Sequence, residues 1–205
     1  MFTGIVTASG TVASAEQRGD LHLKIACPCE PERIAIGASI ACSGVCLTVV
    51  ETGGTAGDMW FAVDVSHETT SRTVPGMWQP GRRLNLEPAL KLGDELGGHL
   101  VTGHVDAVGE VVSRHGDGGS VRLAVRAPAP IAPFIAAKGS ITVDGVSLTV
   151  NTVSDEADGS AVFGLNIIPH TAEVTTLGGL TEGDAVNLEI DVLARYLQRM
   201  QSLRD

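Results

Sequence analysis

Short segments in which apolar and polar residues alternate recur along the chain. Residues 21–25 (Leu-His-Leu-Lys-Ile) and 121–125 (Val-Arg-Leu-Ala-Val) alternate with a period of two, which is typical of strands that bury one face. Segments 39–42, 47–50 and 60–63 continue the pattern, and glycine-rich stretches separate them. A series of such short segments predicts an all-β fold, either a small closed barrel or a sandwich.

The end of the chain has a different period. Its apolar residues recur at the spacing of an amphipathic helix of about four turns, and such a helix is only marginally stable alone in water. The pattern leaves two interpretations open: a helix that packs on the preceding domain, and a helix that joins chains into an oligomer. The apolar positions are Val192, Leu193, Tyr196, Leu197, Met200 and Leu203.

A long internal repeat divides the chain into two halves. Thr-Gly-Ile-Val at 3–6 recurs as Thr-Gly-His-Val at 102–105, and Gly-Val-Cys-Leu-Thr-Val at 44–49 recurs as Gly-Val-Ser-Leu-Thr-Val at 145–150. The offset between matching residues grows from 99 to 101, as short loop insertions between homologous halves would produce. We therefore predict two tandem domains and a C-terminal segment. Their predicted ranges are 1–97, 98–190 and 191–205.

Composition and charge exclude several classes of partner. The chain has 205 residues, with 14 Lys and Arg against 24 Asp and Glu and a net charge of −10, and it has no basic cluster that would bind a nucleic-acid backbone. No apolar stretch approaches the roughly 20 residues of a membrane helix. The N-terminus also lacks the basic region of a secretory signal. We therefore expect a cytoplasmic protein with no nucleic-acid or membrane partner.

The four cysteines all lie in the first quarter of the chain, which does not suit a disulfide framework for the whole chain. Cys27, Cys29, Cys42 and Cys46 could offer thiolates to zinc, but their spacings are unusual and the second repeat lacks matching cysteines. We therefore predict thiols and no metal site. Ser147 replaces Cys46 in the second repeat, which suggests two related ligand pockets; a turn position that tolerates any small residue is the alternative.

The junction between the halves carries two of the six histidines, in Gly-Gly-His-Leu-Val-Thr-Gly-His-Val at 97–105. Histidine is the usual acid–base group near neutral pH, although a single histidine is more often structural. His104 stands where the first repeat has Ile5. Repeats that share a scaffold but differ in an ionisable residue suggest that two similar molecules bind in dissimilar surroundings.

Four motifs are specific in combination: Met-Phe-Thr-Gly-Ile-Val at residues 1–6, Gly-Val-Cys-Leu-Thr-Val, the junction segment, and Asp-Gly-Val-Ser-Leu-Thr at 144–149. Together they closely resemble the riboflavin synthase family of the alpha-chain type, over the whole chain. The resemblance implies two six-stranded Greek-key β-barrels related by pseudo-twofold symmetry, plus the C-terminal helix. It also implies a homotrimer, with each active site between the first barrel of one subunit and the second barrel of a neighbour.

The reaction that the resemblance implies is a dismutation, the last step of riboflavin biosynthesis. Two molecules of 6,7-dimethyl-8-ribityllumazine exchange a four-carbon unit and give riboflavin and 5-amino-6-ribitylaminouracil. Both molecules are already reactive heterocycles, so no cofactor is expected. Because the C7 methyl group is unusually acidic, the protein must mainly abstract a proton, orient the rings and stabilise the anion. Whether the protein also associates with lumazine synthase is left open, and a non-catalytic antenna protein of the same fold is the alternative function.

The resemblance also implies a set of site residues. The polar and aromatic groups around the reacting rings would be Phe2, Cys46, His104, Ser147, Thr149 and Asp191. The first pocket would contain Gly4, Ile5, Val6, Cys46, Leu47, Thr48, Asp64, Val65, Ser66, His67, Glu68, Thr69, Gly103, His104 and Val105. The second pocket would contain Lys138, Ser147, Leu148, Thr149, Asn166, Ile167, Ile168, Pro169, His170 and Thr171.

Some questions stay open at this level. His170 stands where relatives commonly have glutamate, and Glu68 is its equivalent in the first half, so the contacts to the ribityl chain differ in detail. The pattern does not assign donor and acceptor to the two barrels. Water, a ribityl hydroxyl and Cys46 are alternative groups for addition to C7, and Cys27 and Cys29 have no assigned role.

Overall fold

The first half of the chain folds into a closed antiparallel barrel with strand order β1-β2-β5-β4-β3-β6. The structure is a computed structural model and describes residues 1–29, 34–201 and 203. The predicted segments 21–25, 39–42, 47–50 and 60–63 all lie inside strands of this barrel. Its elements are β1 (Ala8–Arg18), β2 (Asp20–Cys27), β3 (Ser39–Cys42), β4 (Val45–Thr55), β5 (Asp58–Val65), α1 (His67–Arg72) and β6 (Arg83–Pro88).

The second half repeats this Greek-key arrangement with one strand divided. Its sheet order is β10-β9-β13-β7-β8-β12-β11, and the two end strands follow each other directly in the chain. Short 3-10 turns at Ala132–Phe134 and Thr176–Gly179 complete it. The other elements are β7 (Ala107–Asp117), β8 (Ser120–Ala127), β9 (Ser140–Val143), β10 (Val146–Thr149), β11 (Thr152–Asp155), β12 (Ala161–Ile167), α2 (Pro169–Val174) and β13 (Ala185–Ile190).

The divided strand changes the predicted count of six strands to seven segments. β10 and β11 together correspond to β4 of the first barrel, which bends through a bulge between Val49 and Glu51. At the equivalent place the N–H of Val150 donates to the carbonyl of Gly139 and the N–H of Asn151 donates to that of Gly164. The chain therefore switches partner strands between β10 and β11, and the same circuit is completed by covalent continuity.

Each barrel fills its own interior with the inward side chains of its alternating strands. Leu23 and Ile25 on β2 are fully buried, as are Leu123 and Val125 on β8. Burial of a side chain of this size contributes about 1.5–3 kcal/mol. Two separate apolar clusters result, one in each barrel. The strands span residues 8–88 and 107–190, and the finer domain limits of the sequence analysis stay a prediction.

The barrels meet along a pseudo-twofold axis marked by reciprocal hydrogen bonds. The Asn85 side chain donates to the carbonyl of Asp144, and the Asn187 side chain donates to the carbonyl of Ser43, at 2.9 and 3.0 Å. Gly44 and Gly145 face each other on this axis with φ of +85° and +80°. A Cβ on Gly145 would lie 2.6 Å from the nitrogen of Gly44, so both the backbone conformation and the close approach require glycine.

The C-terminal helix is α3 (Val192–Gln201), ten residues long, or about three turns. The sequence pattern predicts about four turns that extend to Leu203, but in the described residues the helix ends at Gln201. Arg195 ties the helix to the second barrel through an ion pair with Asp106 of 2.7 Å. Five apolar side chains of this segment are 58–70% exposed and do not pack on that barrel: Leu193, Tyr196, Leu197, Met200 and Leu203. Their exposure favours the oligomeric interpretation, which stays a prediction. No helix among the described residues has the length and apolarity needed to cross a membrane.

Candidate functional site

Two segments that precede the first strand of each barrel run side by side between the barrels. Phe2 and Val101 form an isolated antiparallel bridge, with N–H to carbonyl distances of 2.8 and 3.1 Å. Both side chains are buried and pack with Ala41 in a small cluster of their own. Phe2, a predicted site residue, thus anchors the N-terminal segment, and residues 1–6 and 99–105 form what we call the crossing segments.

A buried glutamate of its own barrel holds each crossing segment. Glu87 on β6 accepts hydrogen bonds from the backbone and hydroxyl of Thr3 at 2.7 and 2.8 Å, and from the N–H of Gly4 at 2.9 Å. Glu189 on β13 accepts the equivalent bonds from Thr102 at 2.7 Å and from Gly103 at 2.9 Å. Glu189 also accepts the N–H of His104 at 3.0 Å.

The crossing segments then contact the opposite barrel. The carbonyl of Gly4 accepts the N–H of Ser147 in the second barrel, and the carbonyl of Gly103 accepts the N–H of Cys46 in the first, both at 2.8 Å. A Cβ on Gly4 would lie 2.6 Å from that of Ser147, and a Cβ on Gly103 would lie 2.7 Å from that of Cys46. Neither contact leaves room for a side chain.

These contacts differ from the predicted grouping of the residues, and the membership of the two pockets stays a prediction. The predicted first pocket joins Gly4, Ile5 and Val6 with Cys46, whereas in the structure Gly4 backs onto Ser147 and Val6 packs against the core of the second barrel. Gly103 does lie with Cys46, and Val105 packs against the first core. The repeat identifies equivalent segments but not the barrel that each one crosses to. Ile5 and His104 are both exposed at this junction.

The strand residues of the two predicted pockets differ in burial. Cys46 and Ser147 are partly buried, whereas Thr48 and Thr149 are exposed. Leu47 is buried in the first core and Leu148 packs against the second. Both β4 and β10 therefore place a thiol or hydroxyl next to a crossing segment and an exposed threonine two residues further on. Residues two positions apart on a strand lie on the same face.

A histidine that the sequence analysis did not assign to the site contacts Ser147. His99 Nδ1 lies 2.7 Å from Ser147 Oγ, and its Nε2 lies 3.2 Å from Thr142 Oγ1. Burial lowers the pKa of His99, and the carboxylate of Asp191 opposes this shift. The signal in the sequence was the position of His99 in the junction segment, five residues before His104. His99 therefore belongs with the candidate groups of the second barrel.

Asp191, another predicted site residue, begins the C-terminal helix. Its side chain accepts the N–H of Leu193 at 2.9 Å, which caps α3. Asp191 thus has a structural role and also contributes negative charge near His99. Lys138 is exposed, with φ of +67°, and its N–H donates to the carbonyl of Val150 at 2.8 Å, directly after Thr149.

The segments that follow β5 and β12 carry the remaining predicted residues. Asp64 pairs with His22 at 2.7 Å, and Ser66 caps α1 by accepting the N–H of Thr69 at 3.2 Å. Val65 is fully buried in the core. His67 and Glu68 are exposed, and Glu68 pairs with Arg72.

In the second barrel Pro169 begins α2, and Ile167 is buried in the core. The side-chain oxygen of Asn166 is buried without a hydrogen-bond partner in the structure, so a bound ligand could satisfy it. The other residues of this segment have surface positions: Ile168 and His170 are exposed and Thr171 is partly buried.

The enclosed space of the chain only partly coincides with these residues. A cavity of about 550 Å³ at the junction of the barrels is lined by Arg82, Asp144 and Asn187, among others, and by none of the predicted site residues. Smaller cavities of about 440 and 350 Å³ include Ile5 and Asp64 respectively.

The cysteine cluster shows no metal geometry. No group of three or more His, Cys, Asp or Glu residues that could hold a metal ion occurs in the described ranges. A hydrogen bond with Cys29 lowers the pKa of Cys27, and burial raises the pKa of Cys42 well above its usual value.

Comparison with known proteins agrees with the paired architecture. The lumazine binding domain matches the chain twice, at residues 3–89 and 102–191. The chain is 50% identical over 204 residues to the riboflavin synthase of Brucella abortus, covering 98% of each chain. It is 45% identical over 201 residues to that of Mycobacterium bovis, again covering 98% of each.

The structure also resembles that of LumP complexed with riboflavin, with a TM-score of 0.77 and 23% identity over 93% of this chain and 99% of that chain. The fold and the doubled site define a protein of two tandem lumazine-binding domains. The sequence relatives then narrow this class. The chain belongs to the riboflavin synthase family.

Proposed function

We propose that the chain converts two molecules of 6,7-dimethyl-8-ribityllumazine into riboflavin and 5-amino-6-ribitylaminouracil. The observation that carries the proposal is the doubled site, in which Cys46 and Ser147 occupy equivalent positions and each backs onto a crossing segment. A reaction in which one compound is both donor and acceptor needs two related pockets that differ in chemistry. The near full-length relationship to riboflavin synthases supports the same reaction.

The chain's own residues supply the chemistry in this proposal. The segments 64–69 and 166–171 hold the ribityl chains and ring edges, and Asn166 offers its unpartnered oxygen. His104, exposed beside Cys46, accepts or returns the proton of the C7 methyl group. Thr48 and Thr149 hydrogen-bond the rings from equivalent strand positions. Because both lumazine molecules are bound and oriented before the chemical step, much of the entropic cost of bringing the two bulky rings together is removed from that step.

The active site in this proposal lies between subunits of a homotrimer. Ile5, Thr48, His104 and Thr149 are exposed in the single chain, and none of the three cavities described above contains Cys46 or Ser147. The exposed apolar face of α3 supplies a surface that a neighbouring chain would cover. A cytoplasmic location, which the sequence pattern favours, and an association with lumazine synthase are part of the same proposal.

The second candidate function is that of a ligand-holding antenna protein. The structural likeness to LumP complexed with riboflavin favours it, although at 23% identity this likeness concerns the fold alone. The polar groups His99, Ser147 and Thr142 form a connected set in the second barrel. A protein that only holds a fluorophore does not need such a set, so catalysis is the better supported function.

One experiment separates the two functions. The purified chain is mixed with 6,7-dimethyl-8-ribityllumazine without metal or nucleotide, and lumazine absorbance and riboflavin fluorescence are followed together. We expect one riboflavin for every two lumazines consumed, over many turnovers. A stably bound fluorophore in equimolar amount with no turnover would instead support the antenna function. The variant His115→Gln, at an exposed position on β7, is a control that should match the unmodified chain.

A further inference from the structure

Two buried carboxylates of the junction have no role in the proposed chemistry. Glu87 is 5% exposed and Glu189 is 2% exposed, and burial of an ionised group is costly unless it is fully hydrogen-bonded. In both glutamates, burial raises the pKa and the hydrogen bonds of the crossing segment oppose this shift. A group kept in such a position needs an explanation beyond solubility or surface charge.

In the part of the chain that the structure describes, both side chains accept hydrogen bonds and donate none. Glu87 accepts at one oxygen from Thr3 and at the other from Gly4. Glu189 does the same with Thr102 on one side and with Gly103 and His104 on the other. Since both oxygens face donors, the ionised form fits and a neutral amide would bring two donors together whichever way it is turned.

The consequence of holding a crossing segment falls on the opposite barrel. Glu87 belongs to the first barrel, but the carbonyl of Gly4, which Glu87 holds, accepts the N–H of Ser147 in the second barrel. Glu189 belongs to the second barrel, but the glycine it holds contacts Cys46 in the first. A Cβ on either glycine would lie less than 3 Å from Ser147 or Cys46, respectively. Because the contact is so close, a shift of the crossing segment must also move the residue that it contacts.

We propose that Glu87 and Glu189 are positioning residues that act across the two barrels, Glu87 on Ser147 and Glu189 on Cys46 and His104. Each barrel thereby sets the geometry of the other barrel's pocket. The expected effect on turnover rests on the proposed function, whereas the expected effect of each glutamate on the structure of the opposite barrel is independent of it.

The test uses the full-length chain with Glu87→Gln and Glu189→Gln, and the backbone amide NMR signals of Cys46 and Ser147 as probes. We expect Glu87→Gln to shift the Ser147 amide and leave that of Cys46 near its original position. We expect Glu189→Gln to shift the Cys46 amide more than that of Ser147, whose side chain the same crossing segment contacts through His99. The variant Glu110→Gln, on an exposed position of β7, is the matched control and should move neither signal. Shifts confined to the mutated barrel, equal shifts in both barrels, or none would overturn the proposal.

Milder variants keep the test decisive if an amide prevents folding. Thr3→Val and Thr102→Val preserve shape and backbone but remove one hydroxyl donor to each carboxylate. They should reproduce the same crossed pattern with smaller shifts. If they do not, the carboxylates stabilise only their own barrels and the proposal is wrong.

Kinetics provides the second measurement. Misplacing a reacting group by about 1 Å can cost up to about 100-fold in rate, so both glutamine variants should lower kcat more than they raise KM for 6,7-dimethyl-8-ribityllumazine. A change in KM alone would contradict a positioning role. If the unmodified chain shows no turnover, the proposed function fails, while the crossed amide shifts still decide this inference.

Discussion

The two barrels share a backbone but differ in how they surround the same strand position. Ser147 in the second barrel is in contact with His99, whose other nitrogen reaches Thr142. In the first barrel the position of Thr142 is occupied by Ala41, which packs on Phe2 and Val101, and a thiol, Cys46, replaces the hydroxyl. Duplication thus preserved the scaffold, while the polar groups that would meet a ligand diverged.

A second difference lies on the pseudo-twofold axis. Ser43 and Asp144 occupy equivalent turns with φ of +46° and +45°, and each accepts the N–H of the asparagine on its own barrel's last strand, at 3.1 and 2.8 Å. The first barrel uses a neutral hydroxyl and the second a buried carboxylate. The barrels therefore differ in titration behaviour as well as in their pockets.

The largest effect should come from separating the barrels of neighbouring chains. A chain that ends at Val192 keeps Asp191 but loses the exposed apolar face of α3. We expect it to bind ribityllumazine or riboflavin, chiefly in the first barrel, and to turn over very little substrate, because the proposed active site lies between subunits. Sedimentation should show a smaller particle than the full-length chain.

Two results would contradict this prediction. One is a truncated monomer with near-normal turnover, which would place both substrates in one chain. The other is a full-length chain that is monomeric and active. A truncated chain that stays trimeric would show that the barrels themselves hold the assembly together and that the helix does not.

His104 should give the next largest effect, because its counterpart in the first repeat is the apolar Ile5. We expect His104→Gln to lower turnover by on the order of 10- to 1000-fold while lumazine still binds, as measured by kcat and by fluorescence titration. Loss of binding with normal turnover at saturation would make His104 a ligand contact only. Unchanged kinetics would make it structural.

His99 tests the polar set that only the second barrel has. Burial lowers its pKa, which favours the neutral imidazole, and its Nδ1 lies within hydrogen-bond distance of Ser147. We expect His99→Gln to reduce kcat by roughly tenfold or more and to change the acid limb of the pH–rate profile below about pH 6.5. Because the two side chains act together, His99→Gln and Ser147→Ala should be less than additive when combined; full additivity would indicate independent roles.

Cys46 tests the corresponding position of the first barrel. The repeat has a hydroxyl at this position, so we expect Cys46→Ser to keep substantial turnover and Cys46→Ala to lose more. A serine hydroxyl without activation is a much weaker nucleophile than a thiolate. Equal inactivity of two well-folded variants would show that the thiolate itself adds to the substrate.

The sequence predicted the repeated strands and much less of the junction. Residues 21–25 and 121–125 lie inside β2 and β8 because alternation reports directly on which face is buried. The division of β10 from β11 depends on which carbonyls accept the N–H groups of Val150 and Asn151, and no local sequence pattern determines these partners.

The sequence could predict which residue types belong to the candidate site, but not which residues contact each other there. Cys46 and Ser147 were identified by their equivalence, but the contact between His99 and Ser147 joins residues 48 positions apart. Likewise the repeat could not show that Gly4 supports the opposite barrel. Long-range contacts of this kind follow from the closure of the barrels, which period and composition do not describe.

The smallest effect on activity and a clear one on stability should come from Asp144. Burial raises its pKa to about 7, so its favourable contribution to folding is complete below the unfolded value of about 3.8 and is lost as pH rises through 7. Asparagine suits the positive φ of this turn and can still accept the N–H of Asn187. We therefore compare the free energy of unfolding of Asp144→Asn with that of the unmodified chain at two pH values. Between pH 4 and pH 8 this difference should change in favour of the variant by on the order of 2 to 4 kcal/mol, and at pH 8 the variant should be the more stable. Urea unfolding at fixed protein concentration measures this, and Ser43→Ala, which removes the neutral counterpart, should cost a similar amount at both pH values. If the two variants depend on pH alike, the barrels do not differ in titration at the axis.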